Sequence, residues 1–210
     1  MIRRVAPAVV IAFAVTATPG AAQTVSPPGP WIVDIRAATS SVPTDLSFYP
    51  AGDATLVPSR GFGLDVGGHI YLFTFGPSRV GVGANLVVIR STATEPASGE
   101  GDLPEERLSL NMRTVAPQVS FNFGSRDGWS YLSAGLGIGS ISTRVEGVTT
   151  SERNSGQVRA INFGGGARWF LSDRVAFGFD VRAHRLAAAG SERPTPGVNA
   201  VAVSAGLSVR

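Results

Sequence analysis

Residues 160–184 alternate in polarity with a period of two, and this alternation limits the possible folds more than any other feature. Phe163, Gly165, Ala167 and Trp169 are apolar or small, and Asn162, Gly164, Gly166 and Arg168 stand between them. After the tight polar turn at Ser172, Asp173 and Arg174 the pattern resumes. Val175, Phe177, Phe179, Val181 and Ala183 share one face; Gly178, Asp180, Arg182 and His184 share the other. A period of two is a strand, and two such runs joined by a short polar turn are a hairpin. A half-buried strand of a water-soluble sandwich has this pattern. So does a membrane strand with its apolar face in lipid and its polar face in a lumen.

The rest of the chain repeats the motif. A first strand starts at Trp31, with Trp31, Val33, Ile35 and Ala37 opposite Ile32, Asp34 and Arg36. A second, at 61–73, sets Phe62, Leu64, Val66, Ile70 and Leu72 against Gly63, Asp65, Gly67, His69 and Tyr71. A third sets Val80, Val82, Ala84, Leu86 and Val88 against Gly81, Gly83 and Asn85. In the fourth, Val115, Val119, Phe121 and Phe123 share a parity that Leu108, Leu110 and Met112 lack. That switch predicts a bulge or register change near Arg113 and Thr114. Pro117 in the same strand has no N–H for a ladder, which a bulge would also answer. The fifth strand carries Leu132, Ala134, Leu136 and Ile138. The opening hairpin supplies the sixth and seventh, and Val201, Val203, Ala205, Leu207 and Val209 the eighth.

Connections alternate long and short. Polar loops are expected at 39–60, 91–106, 142–157 and 187–197, with tight turns between them. Even strand number, short turns at one end and long loops at the other define an eight-stranded antiparallel up-and-down transmembrane β-barrel, all-β, with short periplasmic turns and four longer external loops. Trp31, Phe73, Phe75, Phe121, Phe123, Trp129, Tyr131, Trp169, Phe170, Phe177 and Phe179 collect at the short-turn end, where an interfacial girdle belongs.

The chain of 210 residues has no cysteine, so no disulfide framework, and all 18 basic residues are arginine. Its N-terminus reads as a secretory leader: Arg3 and Arg4, an apolar run over 5–15, then Gly20 and Ala22 ahead of cleavage at 22. The apolar run is too short to span a bilayer. The expected organisation is a leader over 1–22, an extended segment over 23–30 and a barrel over 31–210. Removing Arg3 and Arg4 leaves 16 arginines against 15 acids, a net charge of +1, which gives no reason to expect nucleic acid as a partner.

The leader, the eight alternating runs and the hairpin from Gly164 to Arg182 resemble the small bacterial outer-membrane β-barrel proteins. These are relatives of the outer-membrane protein A transmembrane domain and of opacity-type surface proteins. The resemblance implies an antiparallel barrel in the bacterial outer membrane, inserted by the assembly machinery. It implies no single activity. Arg210 departs from the terminal aromatic common in such barrels, and no peptidoglycan-binding domain follows.

The inward parity carries Asp34, Arg36, Asp65, His69, Arg168, Asp180, Arg182 and His184. Buried charges must be paired, so these read as an ion-pair network filling a narrow barrel. Glycine at Gly63, Gly67, Gly81, Gly83, Gly135, Gly137, Gly139, Gly164, Gly166 and Gly178 leaves space, so a polar lumen acting as a small passive channel is the alternative. A lipid-modifying enzyme is a third reading. It is opposed by the placement of His69 near the periplasmic end and His184 near the external end, and by the lack of a Gly-x-Ser-x-Gly elbow. No cofactor or metal is expected. A surface-binding role through the external loops, with an unnamed partner, is the fourth. On the lipid-facing parity Arg90, Arg113, Arg159 and Arg185 stand near the external rim, as candidates for contact with outer-membrane lipid, including lipopolysaccharide head groups.

Overall fold

The computed structural model describes residues 29–50, 57–95, 106–125, 128–147, 149–189 and 196–210; the leader and most of the extended segment lie outside this set. Its strands are β1 (Trp31–Ser41), β2 (Arg60–Phe75), β3 (Ser78–Glu95), β4 (Glu106–Ser125), β5 (Gly128–Glu146), β6 (Thr150–Asn154), β7 (Val158–Phe170), β8 (Val175–Leu186) and β9 (Val198–Val209). Each of the eight long strands pairs antiparallel with its neighbours, and β1 closes on β9 through Val33↔Val209 to Ser40↔Ala202. Closure removes the open edges that a lone sheet would leave. β6 continues the wall above β7: it pairs with the upper part of β5, from Ser142↔Asn154 to Glu146↔Thr150, along the same edge that β7 occupies lower down. It leads into β7 through an irregular step where Gly156 has φ +65° and Ser155 bonds Ile141 through both its N–H and its hydroxyl.

Short connections join β2–β3 at Gly76 and Pro77, β4–β5, and β7–β8. In the last, Leu171 N–H and Ser172 N–H both donate to Val175 O, at 2.9 and 3.2 Å. The long connections lie at the other end. Of the expected loops, 142–157 is instead largely sheet, and 91–106 is strand at both of its described ends. β3 reaches Glu95 and β4 starts at Glu106, so only 96–105 lie between them, outside the described residues. The 142–157 segment is a hairpin extension of β5 and β6.

The expected bulge near Arg113 is absent. The β3–β4 register runs unbroken from Ser78↔Phe123 to Glu95↔Glu106. The parity of β4 holds throughout, with Leu108, Leu110 and Met112 pointing inward together with Gln118 and Asn122. What changes is the solvent around the wall. In the lower part the outer face meets lipid and is apolar: Ile35, Phe62, Leu132 and Phe163 are 60, 67, 60 and 64% exposed. In the upper part the same face bears Arg90, Arg107, Arg113 and Arg144, all exposed. There the inside becomes an apolar core of Val87, Ile89, Leu108, Leu110, Met112 and Ile141. The barrel is therefore a membrane barrel below and a water-soluble barrel above, with the apolar face exchanged between them. Pro117 also sits without a bulge. It pairs with Ala84 on β3, while the β4–β5 register is interrupted between Val115↔Ile138 and Gln118↔Gly135, where proline has no N–H to give.

All but one of the inward glycines mark crowding rather than open space; only at Gly67 would a Cβ meet nothing closer than 3.6 Å. A Cβ on Gly83 would lie 1.9 Å from Gly68 O, and one on Gly63 1.8 Å from Val88 O. The strands coil so tightly at these points that a neighbouring backbone occupies the side-chain position. Glycine here permits curvature, and does not leave space.

Candidate functional site

The interior is layered. At the periplasmic mouth, Ile32, Tyr71 and Trp129 cluster with Phe170 against them. Tyr71 meets Trp129 edge-on at 6.1 Å, and the Arg210 guanidinium lies 3.9 Å from the centre of the Phe170 ring. Trp129, Tyr131 and Phe170 are thus inside the barrel rather than in the lipid girdle expected for them, because β5 carries its odd positions and β7 its even positions inward. Trp31, Phe73, Phe75, Phe121, Phe123, Trp169, Phe177 and Phe179 do face outward.

The middle layer holds three buried arginines and three buried aspartates among the described residues. Arg168 grips Asp34 with two parallel bonds, Nε to Oδ1 at 2.8 Å and Nη2 to Oδ2 at 2.6 Å. Arg36 bridges Asp34 and Asp65 at 2.8 and 3.2 Å. Arg182 chelates Asp180 through Nε at 3.1 Å and Nη2 at 2.9 Å. The charges balance, which a low-dielectric interior demands.

Neutral donors and acceptors complete the set. Tyr131 OH donates to Asp180 Oδ2 at 2.7 Å, and its ring lies 3.9 Å beneath the Arg168 guanidinium. Ser204 OH donates to Asp65 at 2.7 Å and Ser208 OH to Asp34 at 2.5 Å. Gln118 joins Asn162 at 2.7 Å, and Arg182 reaches Asn162 Oδ1 at 3.1 Å. Tyr131, Asn85, Gln118, Asn162, Ser204 and Ser208 share the inward parity, so their participation was readable once charge was not the only criterion.

The eight inward residues named from the sequence are all buried, and six of them form the two ion-pair groups. The histidines stand apart from those pairs. His184 Nδ1 lies 3.4 Å from Thr114 Oγ1. Neither nitrogen of His69 has a hydrogen-bond partner among the described residues.

The external mouth is closed from the β1–β2 connection. A 3-10 turn at Leu46–Phe48 brings Phe48 and Tyr49 into the apolar core, where they are 4 and 3% exposed. Thr143 OH donates to Phe48 O at 2.5 Å, Arg153 donates to Ser47 O, and Tyr49 OH reaches Pro43 O at 3.3 Å. Burial pushes the Tyr49 hydroxyl up to about 12. No sequence periodicity marks this plug, since it lies in a loop.

Arg90, Arg113, Arg159 and Arg185 are exposed on the outer wall. Arg90 pairs across to Asn111 and Phe62, Arg113 to Val88 and Ser140, Arg159 to Ile138, and Arg185 to Ile161 and Asn199. Arg90 and Arg113 do not end their strands, as the sequence suggested. They mark the top of the lipid-facing belt, and the wall continues above them.

A closed eight-stranded antiparallel barrel, with an apolar belt outside and a polar, charge-balanced interior, is the fold of the small bacterial outer-membrane proteins. No protein-family model matches the chain, and no curated sequence does. Among solved structures, Neisserial surface protein A matches with a TM-score of 0.50 at 14% identity, over 86% of this chain and 97% of that one. Ail of Yersinia pestis, in complex with the heparin analogue sucrose octasulfate, matches with a TM-score of 0.47 at 14% identity, over 85 and 97%. The outer membrane protease OmpT of Escherichia coli matches with a TM-score of 0.49 at 12% identity, over 72 and 64%. At these identities the likeness is one of fold.

Proposed function

We propose that this chain is an outer-membrane barrel with a closed interior, acting as a structural or surface-interaction protein through its outer wall and external loops. The observation that carries this reading is the filling of the barrel: aromatic side chains below, paired charges between, and the Phe48–Tyr49 plug above. The channel alternative rested on glycine leaving a water-filled lumen, and those glycines, Gly67 apart, mark crowded backbone instead. A non-catalytic role is supported by the enclosure of both histidines, neither of which bonds a carboxylate among the described residues. Refolded protein in a planar bilayer should show no stepwise conductance. Reproducible unitary openings would overturn the closed-barrel reading.

The same reading assigns Arg90, Arg113, Arg159 and Arg185 to the phosphates of outer-leaflet lipid such as lipopolysaccharide. A lipid-facing arginine costs about 2–4 kcal/mol at the midplane and about 0–1 near the interface, so the rim is where it is tolerated. Guanidinium also meets phosphate with two parallel hydrogen bonds. Changing Arg113, Arg159 and Arg185 together to glutamine should weaken stabilisation by lipopolysaccharide and leave the detergent-folded barrel intact. Undiminished stabilisation by the lipid would refute the assignment.

A further inference from the structure

Above the lipid belt, β3, β4, β5 and β6 form a polar plate on the outside of the wall. One cross-strand row runs Arg90, Asn111, Ser142 and Asn154. The next runs Thr92, Ser109, Arg144 and Glu152. The row above it adds Thr94, Arg107, Glu146 and Thr150. No apolar or aromatic side chain interrupts these rows. The first row lies one pleat above the Val88–Arg113–Ser140 row, where the lipid-facing belt ends.

We infer that this plate binds the phosphorylated sugars of a glycolipid anchored in the same leaflet. Four observations carry this. First, Arg90, Arg107 and Arg113 have no carboxylate partner among the described residues, whereas Arg144 is held by Glu146 at 3.3 Å. Against these three arginines stands Glu152, so the uncommitted charge on this face is net positive and calls for an anion. Second, apart from Glu146 and Glu152, hydroxyls and carboxamides fill the remaining positions, a donor–acceptor array suited to a polyhydroxylated ligand. Third, a depression of about 280 Å³ lies among Arg90, Ser109, Asn111, Ser142, Arg144 and Glu152, enough for a single sugar unit. The Asn111 Oδ1 there is buried and accepts no hydrogen bond among the described residues, an unmet acceptor beside the depression. Fourth, the plate starts where the lipid ends, so a group on the head of a neighbouring lipid meets it without diffusing in. Binding on these rows proceeds by hydrogen bonds and ion pairs; the exposed ring of Phe62, across from Arg90 on β2, borders them.

The inference rests on the proposed outer-membrane location and extends the arginine–phosphate contacts to sugars on one side of the barrel only. The full chain is refolded into three kinds of vesicle: with lipopolysaccharide bearing its core sugars, with lipid A lacking them, and with lipid A plus released core oligosaccharide. Wild-type barrel should unfold roughly tenfold more slowly with the core-bearing lipid than with lipid A, the scale of one or two added hydrogen bonds to charged or polar groups. Asn111→Ala with Ser142→Ala should abolish most of that difference and leave the lipid A rate unchanged; Ser142→Ala alone, a milder change, should reduce it. Arg159→Gln with Arg185→Gln, away from the plate, should alter both lipids alike. Equal wild-type rates in the first two vesicles, or a double variant that keeps the full difference, would overturn the plate. The full difference produced by released oligosaccharide would overturn a lipid-anchored occupant. Failure of the wild type to insert into any vesicle would instead overturn the membrane reading itself.

Discussion

Replacing Asp34 by alanine should lower the unfolding free energy of the barrel by about 3–5 kcal/mol, the cost of leaving a buried charge without its partner. Asp34 is 1% exposed and accepts from Arg168 twice, from Ser208, and lies against Arg36. Its loss leaves three interior arginines facing two aspartates. Arg168 is itself fully buried and has no route to water. Equilibrium unfolding in urea from lipid vesicles would measure the change. The double replacement Asp34→Leu with Arg168→Met removes both charges and should restore most of the loss, because a buried pair exchanged for apolar groups of similar volume is often near neutral. A single variant as stable as wild type would show that the ion pairs are not what fixes the interior.

The second large effect concerns depth. Ala134 lies on the outer face in the middle of the β5 belt, between Leu132 and Leu136, and pairs with Val119 and Phe163. Ala134→Arg should destabilise the membrane-inserted barrel by about 2–4 kcal/mol. Ser140→Arg, in the row where the belt ends on the same strand, should cost about 0–1 kcal/mol. Neither site gives up a large side chain, so the contrast reports the surrounding solvent rather than lost packing. Unfolding from vesicles against unfolding from a thin detergent shell would check it. Equal costs at the two depths would mean that the belt does not lie in the bilayer.

These two results differ in how far the sequence foretold their basis. The parity of Asp34, Asp65, Arg168, Asp180 and Arg182 was legible because a strand has a period of two, which sorts residues by face without knowledge of their neighbours. Which aspartate meets which arginine was not legible. Asp34 and Arg168 are 134 residues apart, and their pairing depends on barrel closure and on strand tilt. The parity switch in β4 misled for a related reason. Leu108, Leu110 and Met112 keep their inward direction, but the sequence alone does not state where lipid stops and water begins. The same boundary turned expected polar loops into strands, since an exposed wall above the membrane carries Ser, Thr, Arg and Asn as a loop does.

By itself the sequence determined the eight alternating runs, their short and long connections, and the faces on which charge and apolar groups lie. These follow from local periodicity and turn chemistry. Only the tertiary structure decided the rest. It set the partners within the ion-pair network and placed Trp129 and Tyr131 inside. It also showed Phe48 and Tyr49 as a plug, and backbone crowding at Gly63 and Gly83 where open space was expected. Each depends on how far the sheet coils before it closes, and that curvature is a property of all eight strands together rather than of any one segment.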